Sequence, residues 1–519
     1  MYIVTNEQMR KIDEETIKRV VPGLTLMERA GQRVYERIVA EIAPAEKVVA
    51  SIFLGSGNNA GDGLVVARLL VENGAIVFLN YLRPPEKFSP DAFKNYQRIQ
   101  QLGESDRVVE NLLYSGDWKK KAMDAVESSN LIIDALLGTG ISKPVKDDYA
   151  EVIGLINESG LPICSIDIPS GVNGDTAEIM GDAVVADFTV TLGLPKVGCV
   201  FYPGKVCTGY LSIGDIGIPE EIVEEQGLMV WGIDPEMAIG FLPERLPWSH
   251  KFQCGSLLMI AGSRRYSGAS FLASLSALKS GCGIVYLAGP ESIREVIQVK
   301  APEVIFISLE ETQSGSIADV EVSEILDSVR FDALAIGPGL TTDDRTVKLV
   351  REVVSKVDKP VIIDADGINA FAGEFELLKE FSKSKPVIVS PHSGELKRLT
   401  GVTVSERPPD RISTLKSLVK GTGITLVHKG APTVVVNPDG KVAVNMHGHH
   451  GQATAGSGDV LTGAIASFLA QGCDSWGASC LGVYLHSRAA EIAYEETGAR
   501  GMIAGDCMMA LPMALREIE

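Results

Sequence analysis

The sequence predicts an α/β protein in two domains, each built on a mostly parallel sheet. Three observations carry that expectation. A chain of 519 residues is longer than one hydrophobic core ordinarily serves. Short apolar runs alternate with segments of helical period, once before and once after a Pro-spaced stretch around residues 217–239. Several apolar runs end in glycine-rich or polar tips, where ligands of open α/β sheets bind. The expected limits are residues 1–216 for the first domain, 217–239 for a linker and 240–519 for the second.

The first domain opens with a helix, because Thr5 and Gln8 form a capping box ahead of Met9, Ile12 and Thr16 at helical spacing. VVASIFLG then reads as a buried strand, GDGLVVARLLVENG as a helix ended by Gly74, and AIVFLNYL as a second strand. NLIIDALLG, DYAEVIGLINESG and LPICSIDIPSG continue the strand–helix–strand alternation. ADFTVTLGLPKVGCVFYPGKVCTGYLSIGDIGIP is rich in strand and turn signals and closes the domain. EEIVEEQG and FLPERLPWSHKF look the most link-like. The second alternation runs through SLLMIAGS, SGASFLASLSALKSG and GIVYLAGP. FDALAIGPGL, KPVIIDADGINAF and KPVIVSPHSGEL follow as strands with functional tips, and ITLVHKGAPTVVVNPDGKVAVNM as strands with an NPDG hairpin turn.

Composition narrows the function. A formal net charge of −19 disfavours a nucleic-acid partner, which needs Lys and Arg against its phosphates. Small anions remain possible, since loops and helix N-termini bind them locally. The eight cysteines include no Cys-x-x-Cys pair, and several lie inside apolar runs, so neither a disulfide scaffold nor a structural zinc is expected. No run reaches the roughly 18–20 apolar residues that span a membrane, and MYIVTNEQMRKIDEET holds no apolar signal core. The expectation is a cytoplasmic homo-oligomer acting on small molecules, with neither nucleic acid nor membrane as partner.

GQATAGSGDVLTGAIASF places a glycine-rich loop before a helix whose apolar face runs Val460/Leu461, Ala464/Ile465, Phe468/Leu469. The free N–H groups and dipole of that helix suit an anion. Asp459 would repel a phosphate there unless it had a task, such as accepting the proton of an attacking hydroxyl. A helix N-cap is the structural alternative for Asp459. FLGSGNNAGDGLVVARLL sets a second glycine-rich turn between strand and helix. Gly55-x-Gly57-x-x-Ala60 fits a dinucleotide fingerprint, but the next strand ends in Asn80 rather than an acid, which disfavours an ordinary dehydrogenase. Asn58, Asn59 and Asp62 add oxygens to that turn, and with Asp134 and Ser170 at other strand ends they suit a hard cation. Asp167 ends an apolar strand, where a half-desolvated carboxylate can exchange protons, or cap the IPSG turn.

Company sharpens the second loop. AIGPGLTTDD, IIDADGINAF, VSPHSGELKRLTG and VHKGAPTVV precede GSGD in that order. With motifs GPG, SPHxGE, KGxxT and GSGD, most of residues 240–519 resembles the ribokinase-like superfamily, and within it the ADP/ATP-dependent NAD(P)H-hydrate dehydratases. The resemblance implies a ribokinase-like α/β fold. It implies that Asp459 acts on the hydrate hydroxyl, which is phosphorylated from ADP or ATP and then lost as phosphate. Gly458 would hold the transferring phosphate, with Lys429, Gly430, Ala431, Pro432 and Thr433 at the nucleotide. Gly339, His392 and Asp459 would contact the hydrate, and Mg2+ would bridge the phosphates. Lys429 could instead be a solvated strand end, His392 a polar loop residue, and Asp364 and Asp366 turn formers.

One loop departs from the family. Where Asn-Pro-Gly-Met is usual, this chain has His449, His450, Gly451 and Gln452, and Ala455 replaces a common glycine. The HGHH cluster lacks a carboxylate in sequence, which disfavours a metal site.

NNAGDG, DALLGTGISKP and DIPSGVNGDTA, across residues 1–216, resemble the NAD(P)H-hydrate epimerase domain, with Ala60 where glycine is frequent. That resemblance implies a Rossmann-like three-layer α/β fold and a K+ site at Asn59, Asp134 and Ser170. It implies substrate contacts from Asn58, Asn59, Ala60, Gly61 and Asp62, and from the loop Gly138, Thr139, Gly140, Ile141, Ser142, Lys143 and Pro144. Asp167 would be the acid/base that interconverts R and S hydrates. Two alternatives stand beside this bifunctional repair enzyme: a ribokinase-superfamily small-molecule kinase, and a first domain that binds a ligand without catalysis.

Overall fold

A computed structural model describes residues 1–102, 106–318 and 320–519. The chain divides into two compact units, one over Tyr2–Leu228 and 407–409, the other over Met1, Met229–Glu406 and 410–519.

The first unit holds a seven-stranded sheet of β1 (Val49–Leu54), β2 (Ile76–Tyr81), β3 (Val108–Leu112), β4 (Leu131–Ala135), β5 (Ile163–Ile166), β6 (Phe188–Leu192) and β7 (Tyr210–Gly214). The strands lie in the order 3-2-1-4-5-6-7 and every pairing is parallel. Strand side chains alternate between two faces, so Ile52 and Leu54 join the core under helices Gly23–Glu41 and Asn58–Glu72, while Phe53 joins that under Trp118–Glu127 and Asp147–Glu158. Three layers result. The Thr5–Gln8 capping box forms, with Thr5 Oγ1 accepting from the Gln8 N–H. Strand β3 has no counterpart in the sequence reading, because an edge strand is half-exposed and its VVENL lacks an apolar run.

The second unit holds a ten-stranded sheet. Its strands are β8 (Val230–Ile233), β9 (Ser256–Ile260), β10 (Ile284–Pro290), β11 (Ile305–Leu309), β12 (Ala333–Ile336), β13 (Val361–Ile363), β14 (Val387–Val389), β15 (Ile424–His428), β16 (Val434–Val436) and β17 (Val442–Asn445). The order is 11-10-9-12-13-14-15-16-17-8, with antiparallel pairings only at β15–β16 and β16–β17. The hairpin β16–β17 turns at Asn437–Gly440, as NPDG suggests.

Residues 217–239, read as linker, carry regular structure in the described chain. The short helix Glu220–Glu224 sets Ile222 and Val223 in a core with Val4, Met9 and Ile12 of the first unit. Strand β8 pairs with β17 of the second. Apolar pairs such as Ile222/Val223 are too short to show helical period, so their packing is invisible in the sequence.

Two glycines let helices close on the loop before Asp459. A Cβ at Gly463 would stand 2.2 Å from the Ala273 carbonyl, and one at Gly482 would stand 2.9 Å from Ile465 Cα. Helices Ser267–Lys279, Ser457–Ala470 and Ser475–Thr497 therefore pack backbone to backbone. Gly482→Val should cost about 1–3 kcal/mol through overpacking, measured as a lowered urea midpoint for the second unit's transition.

Candidate active sites

In each sheet the chain winds outward from a central pair of strands, β1/β4 and β9/β12, and loops at that reversal bound a crevice. The second unit's site lies at the carboxyl ends of β12 to β15. Gly339 follows β12 with φ +67°, and its carbonyl accepts from Ser263 Oγ at 2.8 Å. Asp364 follows β13, His392 follows β14 and Lys429 follows β15. The Lys429 N–H donates to the Pro391 carbonyl at 2.9 Å, which brings the SPHSGE and HKGAPT loops side by side.

A charge network fills this end. Lys429 Nζ donates to Asp364 Oδ1 at 2.6 Å and lies 3.6 Å from Glu395 Oε2. Thr462 Oγ1, from the helix after GSGD, donates to the other Asp364 oxygen at 2.6 Å. Burial works against the Lys429 ammonium, yet Asp364 and Glu395 outweigh it and hold it above the usual lysine range. Lys429 is thus paired and largely buried rather than a solvated strand end. Asp364, 1% exposed, is an ion-pair partner. Asp366 does serve a turn, accepting from the Thr341 N–H at 2.8 Å and from Asn369 Nδ2 at 3.1 Å.

The GSGD loop enters its helix through Gly456 at φ +91°, which is the N-cap, so Asp459 is not the cap and its carboxyl is free for another task. A Cβ on Gly458 would stand 3.5 Å from Lys429 Nζ, so the loop faces the ammonium. Burial, with the charge of Asp364 added, pushes the Asp459 carboxyl up to about 7 against the pull of Lys429. Such a group can take or give a proton at neutral pH.

The flanking loops are braced. His392 caps helix Ser393–Thr400, its Nδ1 accepting from the Gly394 N–H at 2.9 Å, and its ring is exposed. Buried Arg411 donates to His428 Nδ1 at 2.9 Å and to the Pro432 carbonyl at 2.9 Å, fixing Gly430, Ala431, Pro432 and Thr433. Burial and Arg411 push His428 down to about 3, so it is neutral. In the HGHH loop, His449 stacks on Tyr494 at 3.8 Å between ring centroids, and His447 faces Glu491.

The first unit's site gathers around β1, β4, β5 and β6. Helix Asn58–Glu72 starts at Gly57 and exposes Asn58, while Asn59, Ala60, Gly61 and Asp62 are buried. Asn59 Nδ2 donates to the Leu137 carbonyl at 2.9 Å, and the Leu137 N–H donates to Ser170 Oγ at 2.8 Å. Ser170 Oγ in turn donates to Asp134 Oδ1 at 2.5 Å, and the Ser170 N–H donates to Oδ2 at 2.8 Å. Asn59 Oδ1 is buried without a hydrogen-bond partner. An orphan amide oxygen, a carbonyl, a hydroxyl and one carboxylate make a donor set that fits a weakly held monovalent cation. The loop Gly138, Thr139, Gly140, Ile141, Ser142, Lys143 and Pro144 rims this crevice half-exposed or exposed, with Asn6 Nδ2 held by the Thr139 carbonyl at 2.8 Å.

Asp167 takes φ +67°, a left-handed conformation costing a non-glycine residue of order 1–3 kcal/mol. Its Oδ1 accepts from the Leu192 N–H at 3.0 Å and pairs with Lys196 Nζ, so it reaches across to β6 instead of capping its own turn. The lysine side chain is 1% exposed and also donates to the Leu192 carbonyl at 2.9 Å. Two acids face this pair. Burial, opposed by Lys196, pushes Asp13 up to about 6, and burial together with Asp167 and Asp13 holds Asp62 well above the carboxylate range. Lys196 and Asp13 escaped the sequence reading. A single lysine within the apolar LGLPKVGCVF was the available signal for the first; for Asp13 it was an acid four residues after Met9, on the buried face of the first helix.

The chain matches the family model described as NAD(P)H-hydrate dehydratase over residues 257–513 and that described as YjeF-related protein N-terminus over residues 23–198. It is 39% identical to the bifunctional NAD(P)H-hydrate repair enzyme Nnr of Thermofilum pendens, across 100% of this chain and 97% of that protein. It is 38% identical to the protein of the same name from Moorella thermoacetica, again across 100% and 97%. Among solved structures, an ADP/ATP-dependent NAD(P)H-hydrate dehydratase from Bacillus subtilis, co-crystallised with ATP/Mg2+, is 32% identical. The match covers 56% of this chain and 99% of that one, with a TM-score of 0.48.

Carbon-13 NMR of labelled aspartate should show the Asp459 carboxyl titrating near pH 7. Lys429→Met removes a positive charge that favours the ionised form, so the midpoint should move to higher pH. Asp13 offers a stability test. An acid whose folded pKa is raised favours folding below its unfolded value and loses that contribution as pH rises through the folded value. Asp13→Asn should therefore stabilise the first unit by about 1–3 kcal/mol at pH 8 and by nothing measurable near pH 3.5, as read by its denaturant midpoint.

Proposed function

Because the chain belongs to the family of bifunctional NAD(P)H-hydrate repair enzymes, we propose that the two sites act in turn on one damaged cofactor. The first unit interconverts the R and S hydrates of NADH or NADPH, and the second dehydrates the S hydrate at the expense of ADP or ATP. The observation that supports the second step best is Asp459, a buried carboxyl lifted to about 7 beside a glycine loop and a paired lysine.

In that step Asp459 accepts the proton of the hydrate hydroxyl while the hydroxyl oxygen bonds to the terminal phosphorus of the nucleotide. AMP leaves from ADP, or ADP from ATP. Loss of the new phosphate from the ring carbon, with a proton from the neighbouring carbon, then restores the double bond. Hydroxide is a poor leaving group and phosphate a good one, which is why a phosphate is placed and removed. Gly458 lets the loop approach the phosphate, Lys429 and the loop Gly430, Ala431, Pro432 and Thr433 hold the nucleotide, and Gly339 and His392 contact the hydrate. Among the described residues no three His, Cys, Asp or Glu side chains form a metal cage. Mg2+, when bound with the nucleotide, would supply charge neutralisation at the phosphates there.

In the first unit Asp167 exchanges the proton that lets the hydrate carbon change hand, and Lys196 keeps its carboxylate oriented. Asn58 to Asp62 and Gly138 to Pro144 surround the hydrate, with the N-terminus of helix Asn58–Glu72 offering N–H groups to a phosphate. K+ would be held by Asn59, Asp134 and Ser170, and when bound would add fixed positive charge near that phosphate. A cytoplasmic homo-oligomer remains part of the proposal. Eight free cysteines accord with a reducing compartment, and no helix among the described residues is long and apolar enough to cross a membrane.

The test incubates the protein with mixed R and S hydrates, Mg2+, K+ and ADP or ATP, following reduced-nicotinamide absorbance. Full recovery is expected, and no recovery with either nucleotide defeats the proposal. A stable phosphate ester as product would instead mark a small-molecule kinase. Asp167→Asn should lower R-hydrate recovery at least about a hundredfold with S-hydrate dehydration unchanged, whereas Asp459→Asn should abolish dehydration and leave epimerisation intact.

A further inference from the structure

The residues that depart from the family loop begin a hydrogen-bonded chain that ends in GSGD. The His449 N–H donates to Gln452 Oε1 at 3.2 Å, and a main-chain donor settles which end of that amide is oxygen. The Gln452 amide nitrogen, 3.2 Å from His486 Nδ1, is therefore the donor of that contact, and Nδ1 accepts. Burial pushes the His486 imidazole down to about 4, so at neutral pH the ring carries one proton. With Nδ1 accepting, that proton sits on Nε2. His486 Nε2 lies 3.2 Å from Ser457 Oγ, and the ring also hydrogen-bonds the Ser457 main chain, so the ring donates at Ser457 and the hydroxyl accepts. The hydroxyl keeps its own hydrogen for another partner. Ser457 is the first residue of helix Ser457–Ala470, two positions before Asp459, among N–H groups that lack intrahelical acceptors.

We infer that Gln452 and His486 are positioning residues that lock the Ser457 hydroxyl as a hydrogen-bond donor to an oxygen of the transferring phosphate. The inference rests on placing that phosphate at the Gly456–Asp459 loop. A phosphate oxygen only accepts. Were the ring protonated on Nδ1 instead, Ser457 would have to donate to Nε2 and would turn lone pairs toward the anion. The donor amide of Gln452 selects against that arrangement; an apolar side chain at the same position would have no donor to do so.

The lock can be read without any nucleotide, which separates its failure from failure of the phosphate placement. In the full chain labelled with 15N-histidine, with His486 assigned by its loss in His486→Gln, the proton should appear on Nε2 at pH 7.5. A proton on Nδ1 overturns the inference. Gln452→Glu exchanges the donor for an acceptor of the same shape and should move the proton to Nδ1. With it the KM for ADP in S-hydrate dehydration should rise on the order of tenfold, the worth of one charge-assisted hydrogen bond, and R-to-S epimerisation should not change. Should the Glu variant keep a proton on Nε2, its KM should stay within about twofold of the parent, since Ser457 would still donate. Ser457→Ala should raise KM similarly, and adding Gln452→Glu to it should change little. A KM that moves independently of the Nε2 proton, or equal effects of Gln452→Glu with and without the Ser457 hydroxyl, would show that the two residues do not act through Ser457. Normal dehydration by Asp459→Asn would defeat the reading of this loop as the transfer site that uses Asp459 as proton acceptor, whatever the tautomer.

Discussion

Asp364, Asp134, Asp62 and Lys196 are buried at the carboxyl ends of the two sheets, so each must be paired, hydrogen-bonded or neutralised. That constraint organises each site. In the second unit Lys429 and Asp364 form the pair, Thr462 takes the remaining Asp364 oxygen, and Asp459 is left as the carboxyl that a proton neutralises. In the first, Lys196 takes Asp167, while Asp13 and Asp62 are the carboxyls lifted by burial. Both sites thus hold one compensated pair beside carboxyls that burial raises, although the residues come from unrelated loops. Removing one member of such a pair is costlier than never having had it, since the partner is stranded in a dry site.

Some backbone strain sits at the same places. Of the five non-glycine residues with positive φ among the described residues, Asp167 at φ +67°, Thr341 at φ +73° and Ala365 at φ +48° flank or belong to a strand-end tip, while Asp147 and Ala177 lie elsewhere. Costs of order 1–3 kcal/mol per residue persist only where neighbouring contacts over-determine the turn. Here they do: Asp167 is held by Leu192 and Lys196, Thr341 by Asp366, and Ala365 lies between Asp364 and Asp366. Close helix packing at Gly463 and Gly482 gives the GSGD helix a rigid seat, so Asp459 and Ser457 are carried by packed structure rather than by a loose loop.

The architecture was readable because buried parallel strands are continuous apolar runs, and the motif tips follow them directly. What escaped shares one physical character. Strand β3 is an edge strand with polar composition. Helix Glu220–Glu224 is too short to display its period. Asp13 and Lys196 become partners of Asp167 only when helix Asn6–Arg19 and the segment after β6 are folded against β5, from positions far apart in the chain. In sequence Asp366 is as readily a turn former as a site residue, and His392 reads mainly as a site residue; the folded chain shows that each does local hydrogen-bonding work, at a turn and at a helix cap.

The sequence alone determined the class of site: two α/β units, glycine loops that suit an anion at helix N-termini, and acids placed beside those loops and at strand ends. These are local properties, expressed in residue type and spacing over a few positions. Tertiary structure decided the protonation states, because a pKa depends on which charges and how much water surround a group. It showed that the N-cap is Gly456 and not Asp459, that Lys429 is committed to Asp364, and that the Gln452 amide lies 3.2 Å from His486 Nδ1. The identity of a hydrogen-bond partner across thirty or more residues is a consequence of packing, and packing is written in no single stretch of the chain.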